Sequence, residues 1–497
     1  MPFLDCRSLP LVLALGAALL PAPASAAAPA QRPNVVLIVL DDMNGWLSRR
    51  DYPALQVPHL DQFRGQALNF VNAACSVTVC SPSRASFLSG LHPSTGGAYL
   101  NGADPWDKPG SRHGALQSLP EFFKARGYLT WGGGKLFHSP LPRARLAAMF
   151  DVEAKARNGF GPFPDAAHRR GGNQFAGVQP WTGPDTDFPD VENADQAVDF
   201  LGRPQEKPFL LFYGLWRPHT PYTAPRRFFD LYSKTRFDLP AGWQPGDLAD
   251  IPPEGRRLTD GLKRVQVDGR IDEDRWREEL LGYCANTSFA DWNIGRVLAA
   301  LDHGPHAANT LVVITSDNGF HCGPKERWEK GTLWELSAHV PLLVRGPGVR
   351  RGTSPRTVSL VDLYPTLAGF CGLGEPAHRL DGRSFVPLLR DPAAAWDRPS
   401  FTAYGKGNGS IRDERYRLIR YHDGTEELYD HASDPHEFNN LAGRPDHAAI
   451  AARLRRALPD TWAPSWGGRW EVPRPGEPAR YPPEYALPPG YRPKSRT

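Results

Sequence analysis

Three short apolar runs, residues 35–40, 209–213 and 311–315, limit what this chain can fold into more than any other feature of it. Each is five or six residues of Val, Leu, Ile, Phe or Tyr, with Thr315 closing the third, and none shows polar alternation. Runs of that kind are strands of a parallel sheet covered on both faces, because a strand with one wet face would alternate. Residues 129–131 read as a weaker fourth. Helical patterns at 119–126 and 278–301 lie between them. Alternation of this sort predicts an α/β domain over residues 27–370, a large mostly parallel sheet with helices on both faces. The helical pattern at 360–369 closes it. Beyond, 410–421 and 426–429 read as antiparallel strands and 448–458 as a helix, which predicts a smaller C-terminal α+β subdomain over 371–462. Residues 463–497 are a Pro-rich and aromatic tail, and no repeat is evident.

Composition adds exclusions. With 40% hydrophobic and 23% charged residues and a net charge of +4, the chain is ordinary for a globular protein and too weakly basic to suggest nucleic acid. Residues 11–20 are apolar but too short to span a bilayer, which takes about 20 residues. Ala24-Ser25-Ala26 follows as a small-residue cleavage site. Residues 1–26 are therefore expected to be a signal peptide, the mature protein exported to the periplasm or outside the cell, and no later stretch is apolar enough for a membrane span. Removal of Cys6 leaves Cys75, Cys80, Cys284, Cys322 and Cys371. An odd number in an exported protein gives at least one of them another fate. The other four allow two disulfides or none, and the absence of a CxxC pair argues against a thiolate metal site.

Ligands of open α/β sheets bind beyond the carboxyl ends of the strands, and here those ends are chemically loaded. The first run leads into Asp41-Asp42, the third into Asp317-Asn318-Gly319, the second into Arg217-Pro218-His219, and the weak one through three glycines to Lys135 and His138. Singly, such residues are commonplace: Asp-Asp caps a helix and Asp-Asn-Gly makes a turn. Together they share one rim. Three carboxylates and an amide oxygen there make an oxygen-only site suited to Ca²⁺ or Mg²⁺. Cys80 stands before Ser81-Pro82-Ser83-Arg84, and Pro82 fits the first turn of a helix. That puts position 80 at a helix N-terminus, where an anion or developing oxyanion is favoured. Its plainer reading is a buried structural cysteine.

The run from Cys80 through Pro82, Ser83 and Arg84 to Gly90 resembles the signature of the type I sulfatases, with Ser89 where Thr is usual. In that family the cysteine is converted to Cα-formylglycine by a formylglycine-generating enzyme. The resemblance extends from Arg32 to about Leu441, and implies an alkaline-phosphatase-like/sulfatase fold. Asp41, Asp42, Asp317 and Asn318, with residue 80 itself, match the family's metal ligands, the metal usually being Ca²⁺. Arg84, Lys135, His138, His219 and Lys330 match its anion-binding and proton-transfer residues. Segments 360–367 and 380–384 resemble its downstream landmarks.

The resemblance also implies a mechanism for hydrolysing sulfate monoesters. Formylglycine at 80 is hydrated to a gem-diol; one hydroxyl, deprotonated with help from Asp317, attacks sulfur and gives a covalent sulfo-enzyme. Lys330 and His219 hold the sulfate, His219 protonates the leaving alcohol, His138 takes the proton of the second hydroxyl to expel sulfate, and Arg84 and Lys135 offset charge. The two-residue gap between Lys135 and His138 and the segment Arg217-Pro218-His219-Thr220-Pro221 look like the iduronate-2-sulfatase-like subgroup, although Asn318 and Lys325 stand where that group has His. The expected substrate is a sulfated carbohydrate, with a uronate 2-O-sulfate as the lead. The alternatives are a broad arylsulfatase and a phosphonate or phosphate monoester hydrolase of the same fold.

Overall fold

The computed structural model describes residues 32–465 apart from 50, 103, 108–110, 156–158 and 234. The expected signal peptide at 1–26 and nearly all of the Pro-rich tail lie outside the described residues. Eight strands make the main sheet: β1 (Asn34–Asp41), β2 (Leu68–Ala74), β3 (Leu129–Gly134), β4 (Val152–Glu153), β5 (Phe209–Pro218), β6 (Thr310–Ser316), β7 (Leu342–Arg345) and β8 (Gly352–Ser359). Their order is β8-β2-β7-β6-β1-β5-β3-β4. Only β7 runs against its neighbours β6 and β2; every other pairing is parallel.

Both faces of this sheet are dry, as the unbroken apolar runs require. Along β1 the side chains alternate between two cores: Val36, Ile38 and Leu40 enter one, Val35, Leu37 and Val39 the other. The first core is roofed by helices Pro189–Leu201 and Glu273–Asp302, the second by Cys80–Ser89, Leu119–Ala125 and Leu363–Phe370. Four strands escape the sequence reading. β8 contains Pro355 and several polar residues because it lies at the sheet edge and bulges between Ser354 and Thr357, where proline is tolerated. β2 carries Asn69 and Asn72, and β4 and β7 have only two and four residues.

A second sheet is antiparallel, with strands Ser400–Ala403, Gly409–Arg412, Tyr416–Arg420 and Glu426–Asp430 in that order. The stretch read as one strand at 410–421 is two, broken where Asp413 accepts the main-chain N–H groups of Arg415 and Tyr416. Helix Ala448–Arg455 packs on it. Val77, Val79, Leu333 and Trp334 from the main body share a core with Ile419, Tyr421 and Tyr429, and the described residues from Arg32 onward form one compact unit. Among the described residues no helix is long and apolar enough to cross a membrane.

Candidate active site

Register sets the site. Leu40 lies opposite Ser316, and the Asp317 N–H donates to the Leu40 carbonyl at 3.1 Å, so Asp41-Asp42 and Asp317-Asn318 leave the sheet side by side. Across β1, Asp41 pairs with Pro218, which brings His219 to the same rim. The pairing of Gly134 with Gly214 adds Lys135. Neighbouring strands stand about 4.8 Å apart, so these segments lie within one side chain's reach of each other.

Consecutive strand residues face opposite sides, yet Asp41 and Asp42 converge. The reason is the backbone of Asp42, whose φ of 67° is uncommon for a residue other than glycine. This turn is clamped: the Tyr283 hydroxyl donates to the Asp42 carbonyl at 2.9 Å and accepts the Asn44 N–H at 3.0 Å, while Ser316 Oγ accepts the Met43 N–H at 2.8 Å. Lys135 depends on two glycines. Its N–H donates to the Gly214 carbonyl at 2.8 Å, and a Cβ on Gly214 would strike the Lys135 main chain, as one on Gly134 would strike Gly214. Gly214→Ala should therefore displace Lys135 and lower kcat about 100-fold, the usual scale for a misplacement near 1 Å. Steady-state kinetics beside a circular dichroism spectrum check this; an unchanged kcat would show that Lys135 does not depend on the close approach.

Cys80 is the first residue of the buried helix Cys80–Ser89. Arg84 is four residues on, hence on the same face one turn later. Cys80 Sγ lies 3.2 Å from Asp41 Oδ1, 3.9 Å from Asp42 Oδ1 and 3.0 Å from Lys330 Nζ. Lys330 Nζ also donates to both Asp42 oxygens at 2.6 and 2.7 Å, and Lys135 Nζ to Asp41 Oδ2. Arg84 Nε donates to Asp317 Oδ2 at 2.8 Å, and Ser83 Oγ to the Asp317 carbonyl at 2.5 Å. His219 Nδ1 donates to the Thr220 carbonyl at 2.5 Å, which leaves Nε2 facing the site, 3.6 Å from Asp42 Oδ2. The far end of the helix is held by the landmark segment: the Gly90 carbonyl accepts the Asp381 N–H at 2.8 Å, and Asp381 Oδ2 accepts the His92 N–H at 2.9 Å.

Burial dominates the electrostatics. It would raise Asp41, but Lys135, His219 and Lys330 outweigh it and hold that carboxyl well below the usual range. Burial, reinforced by Asp41 against the pull of Lys330, raises Asp42; burial against Arg84 pushes Asp317 up to about 6. Burial and then Asp41 push the Cys80 thiol well above its ordinary value, leaving a neutral thiol, a weak nucleophile. Burial and then Lys330 depress His219, and burial and Lys135 bring His138 down to about 3.

The cluster could hold a metal ion. Asp41, Asp42, Cys80 and His219 present ligand atoms within 4.8 Å of one another. Asn318 donates Nδ2 to Asp42 Oδ1 at 2.8 Å, while its buried Oδ1 has no hydrogen-bond partner. A buried amide oxygen left in that state is costly unless something electropositive meets it. A second cluster, Glu335, His431 and Glu437, is of another kind: Arg49 and Arg417 pair with Glu335, and Arg417 at 2.9 Å and His431 at 3.0 Å pair with Glu437.

The structure brings Asp41, Asp42, Cys80, Arg84, Lys135, His219, Asp317, Asn318 and Lys330 into one buried cluster. His138 lies beside it, within the electrostatic reach of Lys135, Lys330, Asp41 and His219. Its main-chain N–H donates to Asp104 at 3.3 Å and its buried Nδ1 has no partner. Two residues face away. Arg217 binds the Thr223 carbonyl and hydroxyl, both at 3.0 Å, and so ties the ends of the His219 turn. Lys325 donates to Asp247 at 3.0 Å and to the Glu437 carbonyl. Sequence reasoning missed Tyr283, Asp104 and Asp190, the last of which accepts the N–H groups of Trp216 and Arg217 at 2.8 and 3.2 Å. Each acts on the main chain, which leaves no mark on residue type. All five cysteines from 75 onward are buried and unbonded to one another.

A family profile described as sulfatase matches residues 33–373, and one described as N-sulphoglucosamine sulphohydrolase, C-terminal, matches 323–463. A sulfatase of Formosa agariphila is 34% identical over 450 residues, 86% of this chain and 87% of that protein. Human iduronate 2-sulfatase is 28% identical over 395 residues, 69% of this chain and 70% of that one. The solved phosphonate monoester hydrolase of Silicibacter pomeroyi superposes with a TM-score of 0.70 at 24% identity, covering 86% of this chain and 94% of its own.

Proposed function

The chain belongs to the sulfatase family and is a sulfuric ester hydrolase, and on that premise we propose that it removes sulfate from a carbohydrate, with a formylglycine made from Cys80 as nucleophile. The observation that carries the proposal is the setting of residue 80: first in a buried helix, between Asp41 and Lys330, with Arg84 one turn behind. A thiol is poorly served there. A gem-diol at the same carbon would place one hydroxyl among cations and carboxylates that can orient and deprotonate it.

Asp41, Asp42, Asp317 and Asn318 would hold the metal, Ca²⁺ by chemistry and Mg²⁺ as the alternative. When bound there, the cation supplies Lewis-acid polarisation of the reacting oxygens. The rest is done by side chains. Three carboxylates face three cations, Lys135, Lys330 and Arg84, so a dication makes the pocket positive, the sign a sulfate ester needs. Lys330 and His219 hold the sulfate oxygens; Asp317 takes the nucleophile's proton. Burial and then Lys330 depress the imidazole; negative charge arriving between Lys330 and His219 would counter the second of these and favour a proton on Nε2 for the leaving alkoxide. His138 then accepts the proton of the second hydroxyl as sulfate leaves and the aldehyde returns.

Human iduronate 2-sulfatase is among the similar proteins, and the Lys135-to-His138 spacing supports a uronate 2-O-sulfate as the lead substrate. Contacts to the sugar would then help orient the ester, so truncated substrates should lose kcat as well as affinity. We expect kcat/KM for a 2-O-sulfated uronate disaccharide to exceed that for 4-nitrophenyl sulfate by ~100-fold, equivalent to about 2.7 kcal/mol. His219→Ala should hurt the sugar more than the aryl ester, since only the sugar alkoxide strongly needs protonation. Equal efficiency on both esters, with equal sensitivity to His219→Ala, would eliminate the uronate lead and leave sulfate hydrolysis intact. A matched phosphonate ester turned over faster than the sulfate would favour the hydrolase alternative.

A further inference from the structure

We infer that the aromatic rings beside His219 form the leaving-group subsite, shaped to stack the C–H face of a pyranose ring that carries no positive charge; the inference rests on the reading of the substrate as a sulfated sugar. Phe160 is its centre. Its ring centroid lies 4.7 Å from that of His219, 4.7 Å from Trp216 and 5.3 Å from Phe175. Phe163 packs edge-on to Phe175 at 5.3 Å. All four aromatic residues are half-buried, while the helix-covered cores of the sheet are filled elsewhere. Apolar rings left partly open beside a reactive centre are a surface to be covered by ligand.

Chemistry gives the direction. If His219 protonates the leaving oxygen, the carbon that bears it comes to rest within a few ångströms of the imidazole, and the Phe160 ring, 4.7 Å from that imidazole, is the neighbour it would meet. The sulfate itself would be held by Lys330, which contacts residue 80 at 3.0 Å. Charge selects the occupant. Lys135 Nζ sits 5.8 Å from the Phe160 centroid and 5.3 Å from that of Trp216, so these rings already serve one cation. A trimethylammonium leaving group would meet Lys135 and Lys330 at close range. A pyranose brings apolar C–H bonds and no positive charge, and the carboxylate of a uronate would be drawn to the same lysines.

The test uses the full chain with Phe160→Ala and the volume-conserving Phe160→Leu, assayed on O-sulfated pyranoses, on 2-O-sulfated uronate disaccharides and on choline O-sulfate, with inorganic sulfate as competitive inhibitor. Phe160→Ala should raise KM for the preferred sulfated sugar at least tenfold and Phe160→Leu about threefold. The inhibition constant of inorganic sulfate, which reads the sulfate pocket alone, should move less than twofold in either. If Phe160→Ala does not fold, Phe160→Leu must still show its rise. An unchanged KM overturns the subsite, as does a rise in KM matched by the sulfate inhibition constant, which would make Phe160 a mere support for His219 and Lys135. A wild-type preference for choline O-sulfate overturns it too. A wild type that cleaves no sulfated sugar overturns the substrate reading and the subsite with it, whereas a wild type that does cleave them, with KM unchanged in the Phe160 variants, overturns the subsite alone.

Discussion

Cys80→Ala is expected to abolish sulfate-ester turnover, with kcat falling on the order of 100,000-fold or more, the scale seen when a covalent nucleophile is removed from its machinery. Little of that loss should come from unfolding. Residue 80 begins its helix, and Val79 and Gly90 at the two ends, with the Asp381 contact, do not depend on the thiol. Alanine also suits a helix better than cysteine does. Cys80→Ser is the more telling partner. A serine offers one hydroxyl in the same place, enough to attack sulfur once; without a second hydroxyl it has no proton for His138 to take and no route to eliminate sulfate. The Ser variant should yield at most one turnover and trap the sulfo-enzyme, visible as sulfate mass on the intact protein. Sustained turnover by either variant would remove residue 80 from the centre of the chemistry.

Exhaustive removal of divalent cations should lower activity on the order of 1,000-fold or more, reflecting several kcal/mol of transition-state stabilisation, and Ca²⁺ or Mg²⁺ should restore it. Without the cation, three acids and three bases nearly cancel, and the pocket loses the positive field that draws a sulfate ester in. A second readout is independent of turnover. A cation that binds only the folded protein raises its stability, by about 2.7 kcal/mol at a hundred times Kd, so Tm should climb with added Ca²⁺. Asp317→Asn should weaken both responses, because it removes one charge of the donor set and the proposed base while keeping the shape. Activity and Tm that ignore both chelation and Ca²⁺ would make the carboxylate cluster structural.

Much of the site is legible because function concentrates where strand residues turn polar. Val35 through Leu40 announce a buried strand, and the sudden Asp41-Asp42 can then only sit at the sheet's rim; the same holds for Asp317-Asn318 after β6. The Cys80-to-Arg84 spacing says that both side chains share a helix face. What sequence does not show is direction and distance. Arg217 looks like part of the anion site beside His219, yet its guanidinium turns back to Thr223. Tyr283 sits in the middle of a 30-residue helix as one more core aromatic, and only folding reveals that its hydroxyl clamps the Asp42 turn. Asp104 and Asp190 act through main-chain N–H groups. The edge strand Gly352–Ser359 is hidden for a different reason: an edge tolerates proline and polar residues that a central strand excludes.

The central claim is the identity of the side chain at position 80, and the mass of one peptide tests it most directly. Trypsin should release residues 65–84 as a single fragment holding both Cys75 and Cys80. Cys75, buried and unbonded, serves as an internal thiol. In protein that turns over substrate, the fragment is expected to take up one alkylating group, at Cys75, and to react at position 80 with a hydrazine that captures aldehydes. Fully active protein whose fragment takes up two alkylating groups and no hydrazine would contradict the formylglycine mechanism.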